Sequence, residues 1–315
     1  MSWPADLKRR LSRLLHRNPT AHRFYRRIRG LPPPPPTTGS WQVWVRLPTP
    51  ARSGAGGLLF EAPVGLTMPR ILQAKGLAGY EREALACFLA VLDTAPAGPV
   101  WDVGANIGVF ALLAASLTDR DVLAFEPTPE TLLVASNTAV SNHLRVDCRQ
   151  LALGAESALK TFYLSTKSDT SNSLQAGFKP SHASIDVQVD TIDRLVEASQ
   201  QPPAVLKLDT EMTEPDVLRG GMVTVSEHRP WILCEVLPRQ AEGVLQAEIE
   251  PHGYHWYPID DADPLERKDV LIGNNTYPMW LFAPEVPEPE FWARMSYWRT
   301  ALEKCQPGPQ PRTTH

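Results

Sequence analysis

The sequence predicts an α/β fold built on a mostly parallel, seven-stranded sheet with helices on both faces. Between about residues 99 and 284, short apolar segments alternate with segments of helical spacing, a pattern typical of right-handed βαβ units. Two late segments, 252–259 and 277–283, read as strands with no good helix between them. They predict an antiparallel hairpin that closes the sheet.

The other five strands of this sheet follow in order along the chain. They are predicted at 99–103, 122–126, 146–151, 204–209 and 230–236. Helices are predicted at 107–117, 129–142 and 215–222. The stretch between the third and fourth strands reads as irregular, and its residues 165–185, which include His182, are a candidate lid.

The chain before the sheet has a different pattern. Residues 41–75 alternate apolar and polar side chains around a Gly-rich turn at 54–57, which predicts short strands, and 79–92 predict a helix. We divide the chain into a helical arm with a proline linker at 1–36, N-terminal strands with a lead-in helix at 37–98, the main domain at 99–285, and a C-terminal helix with a disordered tail at 286–315.

Residues 1–30 are basic and amphipathic. Nine of them are Lys or Arg, one is acidic, and the leucines at 7, 11, 14 and 15 fall on one face of a predicted helix. The favoured interpretation is that this face packs on the domain. The alternative is an anchor on an anionic membrane surface or on a partner protein. The proline run 32–36 predicts a stiff spacer.

The overall composition is that of an ordinary globular protein. The formal net charge is −4, which gives the whole molecule no strong attraction to nucleic acid. No apolar run approaches the ~20 residues that a transmembrane helix needs, and arginines interrupt the N-terminal segment where a secretory signal would be uniformly apolar. We therefore expect a cytoplasmic protein, with peripheral contact at the inner face of a membrane confined to the arm.

The sequence predicts no metal site. The four cysteines are far apart and form no zinc-ligand spacing. His252 and His255 both fall in a predicted strand, but they are three positions apart and no third ligand is evident.

The first motif joins the first strand to its helix, in the segment VWDVGANIGVF. Asp102 ends the strand, and Gly104, Ala105, Asn106 and Gly108 form a G-x-N-x-G turn at the sheet edge where α/β proteins bind ligands. The turn differs from the G-x-G-x-x-G of dinucleotide binders, and an acid with a polar amide suits an ammonium group better than a pyrophosphate. The alternative is a structural turn whose Asp is satisfied within the protein.

The second and third motifs follow two other strands. Glu126 ends the second strand and is followed by Pro127, and an acid there can accept both ribose hydroxyls of an adenosine cofactor. Asp209 and Glu211 follow the fourth strand, where a carboxylate can orient a substrate hydroxyl or take its proton. For Glu214, which precedes a proline, a helix-capping role is favoured.

Taken in order, DVGANIGVF, AFEPTPE, LKLDTEMTEPDVLRGG and PWILCEV resemble the FkbM-type methyltransferases, over about residues 79 to 284. The resemblance implies a Rossmann-like methyltransferase fold, S-adenosylmethionine as cofactor, and O-methylation of a saccharide, glycolipid or other small natural product. Carried over by position, it assigns the cofactor to the residues of the first two motifs named above and the Asp-x-Glu pair to Asp209 and Glu211.

One departure from the family pattern stands beside these acids. The pattern Asp-Val-Glu-Gly-His-Glu has Met212 in place of glycine and Thr213 in place of histidine. A non-catalytic cofactor-binding or scaffold protein is therefore the second hypothesis. A nicotinamide-dependent oxidoreductase is the third, and the absence of G-x-G-x-x-G argues against it.

Overall fold

The computed structural model describes residues 39–166, 168–238 and 242–308. The basic arm with its membrane or protein contact, the proline linker and the end of the predicted disordered tail lie outside the described residues. The predictions made for them stay predictions.

The described part contains twelve strands and nine α-helices. The strands are β1 (Ser40–Arg46), β2 (Gly57–Pro63), β3 (Val100–Val103), β4 (Val122–Phe125), β5 (Asp147–Arg149), β6 (Ala152–Leu153), β7 (Ala158–Ser165), β8 (Ser181–Asp190), β9 (Val205–Leu208), β10 (Trp231–Glu235), β11 (His255–Pro258) and β12 (Met279–Ala283). The helices are α1 (Thr67–Lys75), α2 (Arg82–Thr94), α3 (Val109–Leu117), α4 (Pro129–Ser141), α5 (Ile192–Ser199), α6 (Glu214–Arg219), α7 (Met222–His228), α8 (Glu242–Ile249) and α9 (Pro289–Glu303).

Seven strands form the main sheet, in the order β5-β4-β3-β9-β10-β12-β11. The first five strands are parallel to one another, whereas β12 is antiparallel to both β10 and β11. This confirms the predicted seven-stranded sheet and its closing hairpin. The chain runs outwards from β3 to β5 and then returns to β9 on the other side of β3. The carboxyl ends of β3 and β9 therefore flank a switch point, where such sheets open a crevice.

Helices cover both faces of the main sheet, as predicted. Side chains that alternate along one strand enter different cores: Val205 packs in a cluster with α2, α3 and α9, and Leu206 packs in a cluster with α6, α7 and α8. The first cluster also takes in β1 and β2. The C-terminal helix α9 packs along α2, where Arg299 Nε lies 2.6 Å from Glu83 Oε2.

Three local predictions were wrong. Residues 67–75, predicted as part of a strand region, form α1, because Met68 and Leu72 share a buried helical face. The stretch predicted as irregular contains a second sheet, ordered β6-β8-β7, and α5. In β8, Ile185, Val187 and Val189 do alternate with polar side chains, but β7 has an irregular pattern in which Leu159 is exposed. Helix α8 also forms where no helix was predicted.

Candidate active site

A cavity opens at the carboxyl ends of the main sheet. Its walls come from the turns after β3, β4, β9 and β10 and from the segment before α2. Seven of the nine predicted site residues line it: Gly104, Ala105, Asn106, Glu126, Pro127, Asp209 and Glu211. The sheet therefore brings together residues that are separated by up to about a hundred positions in the chain.

Gly104 allows the turns after β3 and β9 to touch. Its φ is +77°, and a Cβ atom placed there would lie 1.8 Å from the carbonyl oxygen of Asp209. Any side chain would therefore push apart the two strand ends that flank the switch point. The bare backbone at this turn faces the cavity, as a close-approaching ligand requires.

Asn106 ties the turn to two neighbouring segments. Its φ is +51°, a left-handed conformation that asparagine tolerates better than most residues. The amide N donates to Glu126 Oε2 at 2.9 Å, and the side-chain Nδ2 donates to the carbonyl oxygen of Asp169 at 3.2 Å. The side chain thus holds the site together, and the backbone of the turn faces the cavity.

Glu126 is buried at the end of β4 and keeps acceptor capacity for a ligand. One oxygen accepts from the Asn106 amide and the other from the Thr128 amide, at 2.9 and 2.8 Å. Burial raises the pKa of this carboxyl, and the hydrogen bonds from Thr128 and Asn106 oppose that rise. An ionised carboxylate has about four acceptor positions, and the two backbone amides leave some of them for hydroxyl groups, including those of Thr128 and Thr131 beside it.

Asp102 and Gly108 do not line the cavity, and their predicted role in binding the cofactor stays a prediction. Asp102 is fully buried; Oδ2 accepts from the Ala111 amide at 3.0 Å, and Oδ1 lies 3.4 Å from Lys207 Nζ. Gly108 precedes α3 with φ +79°, and a Cβ there would lie 3.0 Å from Ala135 Cβ. Within the first motif, the turn 104–106 therefore lines the cavity, whereas Asp102 at the end of the strand and Gly108 before the helix face the interior of the protein.

Lys207 is the support residue that the sequence reasoning missed. It is 3% exposed, and its Nζ lies 3.4 Å from Asp102 Oδ1 and 3.1 Å from Asp209 Oδ2. Burial alone would lower its pKa, but the two carboxylates raise it, so the ammonium stays charged. The sequence did carry a signal for Lys207. Buried parallel strands are nearly uniformly apolar, so a single charged residue inside one indicates a special role.

Acidic side chains dominate the rest of the cavity. Burial, followed by the charge of Asp209, raises the pKa of Glu81 to about 7 and that of Glu211 to about 8. The same two causes raise the pKa of Glu235, at the end of β10, well above its usual range. Glu81 and Glu235 were not predicted as site residues, although both stand at the ends of recognisable segments. The cavity is thus built to hold hydroxyl or cationic groups.

Comparison with known proteins identifies the domain. Residues 102–257 match the family model described as the methyltransferase FkbM domain. Residues 102–257 belong to the FkbM methyltransferase domain family.

Two kinds of relative were found for this chain. It is 29% identical over 150 residues to the hexuronic acid methyltransferase AglP of Haloferax volcanii, which covers 44% of this chain and 55% of that protein. The chain therefore spans about half the length of this curated relative.

Solved structures with a similar arrangement are more distant. An FkbM methyltransferase of Methylobacillus flagellatus has 16% identity and a TM-score of 0.39, over 59% of this chain and 43% of that one. The RsmC 16S rRNA methyltransferase of Thermus thermophilus, in complex with AdoMet and guanosine, has 13% identity and a TM-score of 0.42, over 80% of this chain and 52% of that one.

None of the described helices has the length and apolar character that crossing a bilayer demands.

The departure from the FkbM pattern is visible as backbone strain. Glu211 has φ +54° and Met212 has φ +89°, a region that favours glycine. Met212 stands at the position of the family's glycine, and its side chain is buried in the core beside α6. Glu214 holds the turn, since its Oε1 accepts from the Thr210 amide at 2.6 Å and from the Thr210 hydroxyl at 3.0 Å. These bonds close the turn before α6 and do not cap the helix, whose N-cap residue is Thr213, so the capping role favoured for Glu214 stays a prediction.

We expect Met212→Gly to be more stable than Met212→Ala by about 1–2 kcal/mol, because only glycine adopts this φ without strain. Both variants lose nearly the same buried atoms, so the difference isolates the backbone cost. The measurement is the free energy of unfolding by urea. The same pair at Glu130, exposed in the first turn of α4, is the control, where alanine should be favoured by up to ~1 kcal/mol. Equal stability of the two Met212 variants would show that the turn carries no strain.

One wall of the cavity is formed by the segment between β7 and β8. Asp169, Thr170, Asn172 and Leu174 line the cavity. The Thr67 amide donates to Asp169 Oδ1 at 2.7 Å, which fastens the segment to the start of α1. The predicted lid thus reaches the site, but its residues 181–185 belong to strand β8, where the pairing with β7 keeps them in a sheet. The side chain of His182 lies outside the described residues.

Proposed function

We propose that this chain transfers a methyl group from S-adenosylmethionine to a hydroxyl of a saccharide or a similar small hydroxylated metabolite, in the cavity described above. The observation that carries the proposal is the position of Glu126, whose buried carboxyl lines the same cavity as Asp209 and Glu211. One end of the cavity then fits a ribose and the other fits a reacting hydroxyl.

The residues present fit this cofactor better than a dinucleotide. Glu126 would hold the ribose hydroxyls, and the turn 104–106 would lie against the amino-acid part of the molecule. Acidic groups outnumber the single buried lysine, which suits a ligand that carries an ammonium and a sulfonium and no phosphate. When bound, the cofactor supplies a methyl group already activated by its positive sulfur. The protein's task is therefore to position an acceptor oxygen in line with that methyl group.

Asp209 and Glu211 are the groups that would act on the acceptor. Lys207 holds Asp209 in place through Oδ2, and the Ser173 hydroxyl fixes the backbone of Glu211 by donating to its carbonyl oxygen at 2.6 Å. Two carboxylates on one short turn can orient an acceptor hydroxyl and receive its proton as the methyl group is transferred. The saccharide part of the proposal is supported by the Haloferax relative, which is named a hexuronic acid methyltransferase.

We expect Glu211→Gln to lower turnover by ~10²–10⁴-fold, because a positioned proton acceptor contributes about that much. Asp209→Asn should also lower it, since the pair orients one hydroxyl. The measurement is transfer of labelled methyl from S-adenosylmethionine to a panel of uronic acids and their glycosides. Affinity for S-adenosylhomocysteine should stay close to that of the wild type in both variants, and Glu130→Gln is the surface control. Full turnover in both variants would remove the basis of the assignment.

A further inference from the structure

Three carboxylates from two neighbouring strands meet at one point of the cavity wall. Asp209 and Glu211 come from the turn after β9, and Glu235 ends the adjacent strand β10. One oxygen from each lies within 4.8 Å of the other two. This convergence follows from the parallel pairing of β9 with β10, which brings both carboxyl ends to the same edge.

Glu235 brings to this cluster a carboxyl group with one buried oxygen that has no hydrogen-bond partner among the described residues. Its Oε2 is shielded from solvent and accepts no hydrogen bond from any described residue. A buried carboxylate oxygen without a donor is costly and is a reason to look for a ligand. The buried cation beside the cluster, Lys207, is already shared between Asp102 and Asp209.

We propose that Asp209, Glu211 and Glu235 bind a divalent, oxygen-preferring metal ion such as Mg²⁺ or Mn²⁺ at the wall of the cavity. Such ions bind carboxylate oxygens at ~2.0–2.6 Å, so ligands on opposite sides of one ion lie about 4–5 Å apart, which matches the cluster. The cluster holds no histidine or cysteine, which disfavours zinc and softer metals. Asp209 uses Oδ2 for Lys207, which leaves its other oxygen for the ion.

This inference deepens the proposed function and, in its role for the acceptor, rests on it. A metal held here would face the cavity beside the acceptor oxygen, and the carboxylate oxygens of Asp209 and Glu211 that do not bind the ion would remain to receive the proton. A bound cation also offsets the repulsion that an acidic sugar would meet among these carboxylates. The cation site itself is independent of what the acceptor is.

The test is a titration of the full chain with Mn²⁺, followed by the electron paramagnetic resonance signal of free Mn²⁺. We expect one saturable site in the wild type. Glu235→Gln keeps the size of the side chain and removes its charge, and should weaken Mn²⁺ binding by at least ~10-fold, the minimum seen when even outer partners of metal ligands are lost. Glu130→Gln, an exposed glutamate far from the cluster in sequence, should bind as the wild type does.

S-adenosylhomocysteine binding is measured on the same samples, so that the cation site and the cofactor site are tested separately. A wild type that binds the nucleoside but shows no saturable Mn²⁺ site overturns the metal inference and leaves the proposed function standing. Equal Mn²⁺ affinity in the wild type and in a Glu235→Gln variant that retains its fold also overturns it. Mn²⁺ binding without nucleoside binding supports the cation site and contradicts the proposed function.

Discussion

Replacing Lys207 with methionine is expected to lower the free energy of unfolding by about 3–5 kcal/mol, the usual cost of leaving a buried charge without its partner. Lys207 is the cation that faces Asp102, and Asp102 is fully buried with one other partner, the Ala111 amide. Methionine fills similar space, so the loss reports the charge and not a cavity. Urea denaturation at pH 8 measures it.

The loss should be smaller at pH 5 than at pH 8. Burial raises the pKa of Asp102, and Lys207 opposes that rise, so the pKa climbs further in the variant. A carboxyl group whose pKa is raised by folding destabilises the folded state most at a pH above both its folded-state and its unfolded-state pKa. The penalty decreases as the pH falls, and it is gone below the unfolded-state pKa of ~4, where the group is protonated in both states.

Two controls separate this effect from a general loss of charge. Lys268→Met removes an exposed lysine that pairs with Glu266, and should cost no more than ~1 kcal/mol. Adding Asp102→Asn to Lys207→Met should recover part of the stability, because the stranded carboxylate is gone. A Lys207→Met variant as stable as Lys268→Met at pH 8 would show that Lys207 does not hold Asp102.

Glu126→Gln is expected to weaken S-adenosylhomocysteine binding by ~10–100-fold, since hydrogen bonds to a charged group contribute about 1.5–3 kcal/mol. The substitution removes the charge that the ribose hydroxyls would meet at the end of β4. It also places an amide group against one of the two backbone N–H groups that Glu126 now accepts from. Isothermal titration calorimetry gives the affinity, and the midpoint temperature of thermal unfolding shows whether the substitution also lowers the stability of the fold.

These two readouts distinguish a binding role from a structural one. A variant that melts at a lower temperature but keeps the affinity of the wild type would show that Glu126 only supports the Asn106 turn. Glu130→Gln, four residues further along and exposed, should change neither quantity.

Most of the main sheet could be predicted because its strands are short, buried and separated by clear helical segments. The ends of those strands then located Gly104, Glu126, Asp209 and Glu211 correctly at one cavity. Parallel pairing makes this step reliable, since every carboxyl end meets the same edge. What the strand ends do not reveal is which side chain points forwards into the cavity and which points back into the core.

Asp102 and Lys207 illustrate that limit. In the sequence, an acid at a strand end and a lysine within a strand look unrelated, since 105 positions separate them. Strands β3 and β9 pair directly, with Asp102 opposite Lys207, so the two become partners only in the sheet. Glu235 escaped prediction for the same reason: its neighbours in the cluster, Asp209 and Glu211, follow a different strand and become its neighbours only in the sheet. The second sheet escaped prediction because β7 has an irregular pattern, although the alternation of Ile185, Val187 and Val189 with polar residues in β8 was a usable signal.

The most direct test of the account is a calorimetric titration of the wild-type chain with S-adenosylhomocysteine. The account predicts a single site with a dissociation constant in the micromolar range, and the loss of affinity in Glu126→Gln described above. A wild type that is folded, as shown by a cooperative thermal transition, but binds no S-adenosylhomocysteine would contradict the proposed methyl transfer.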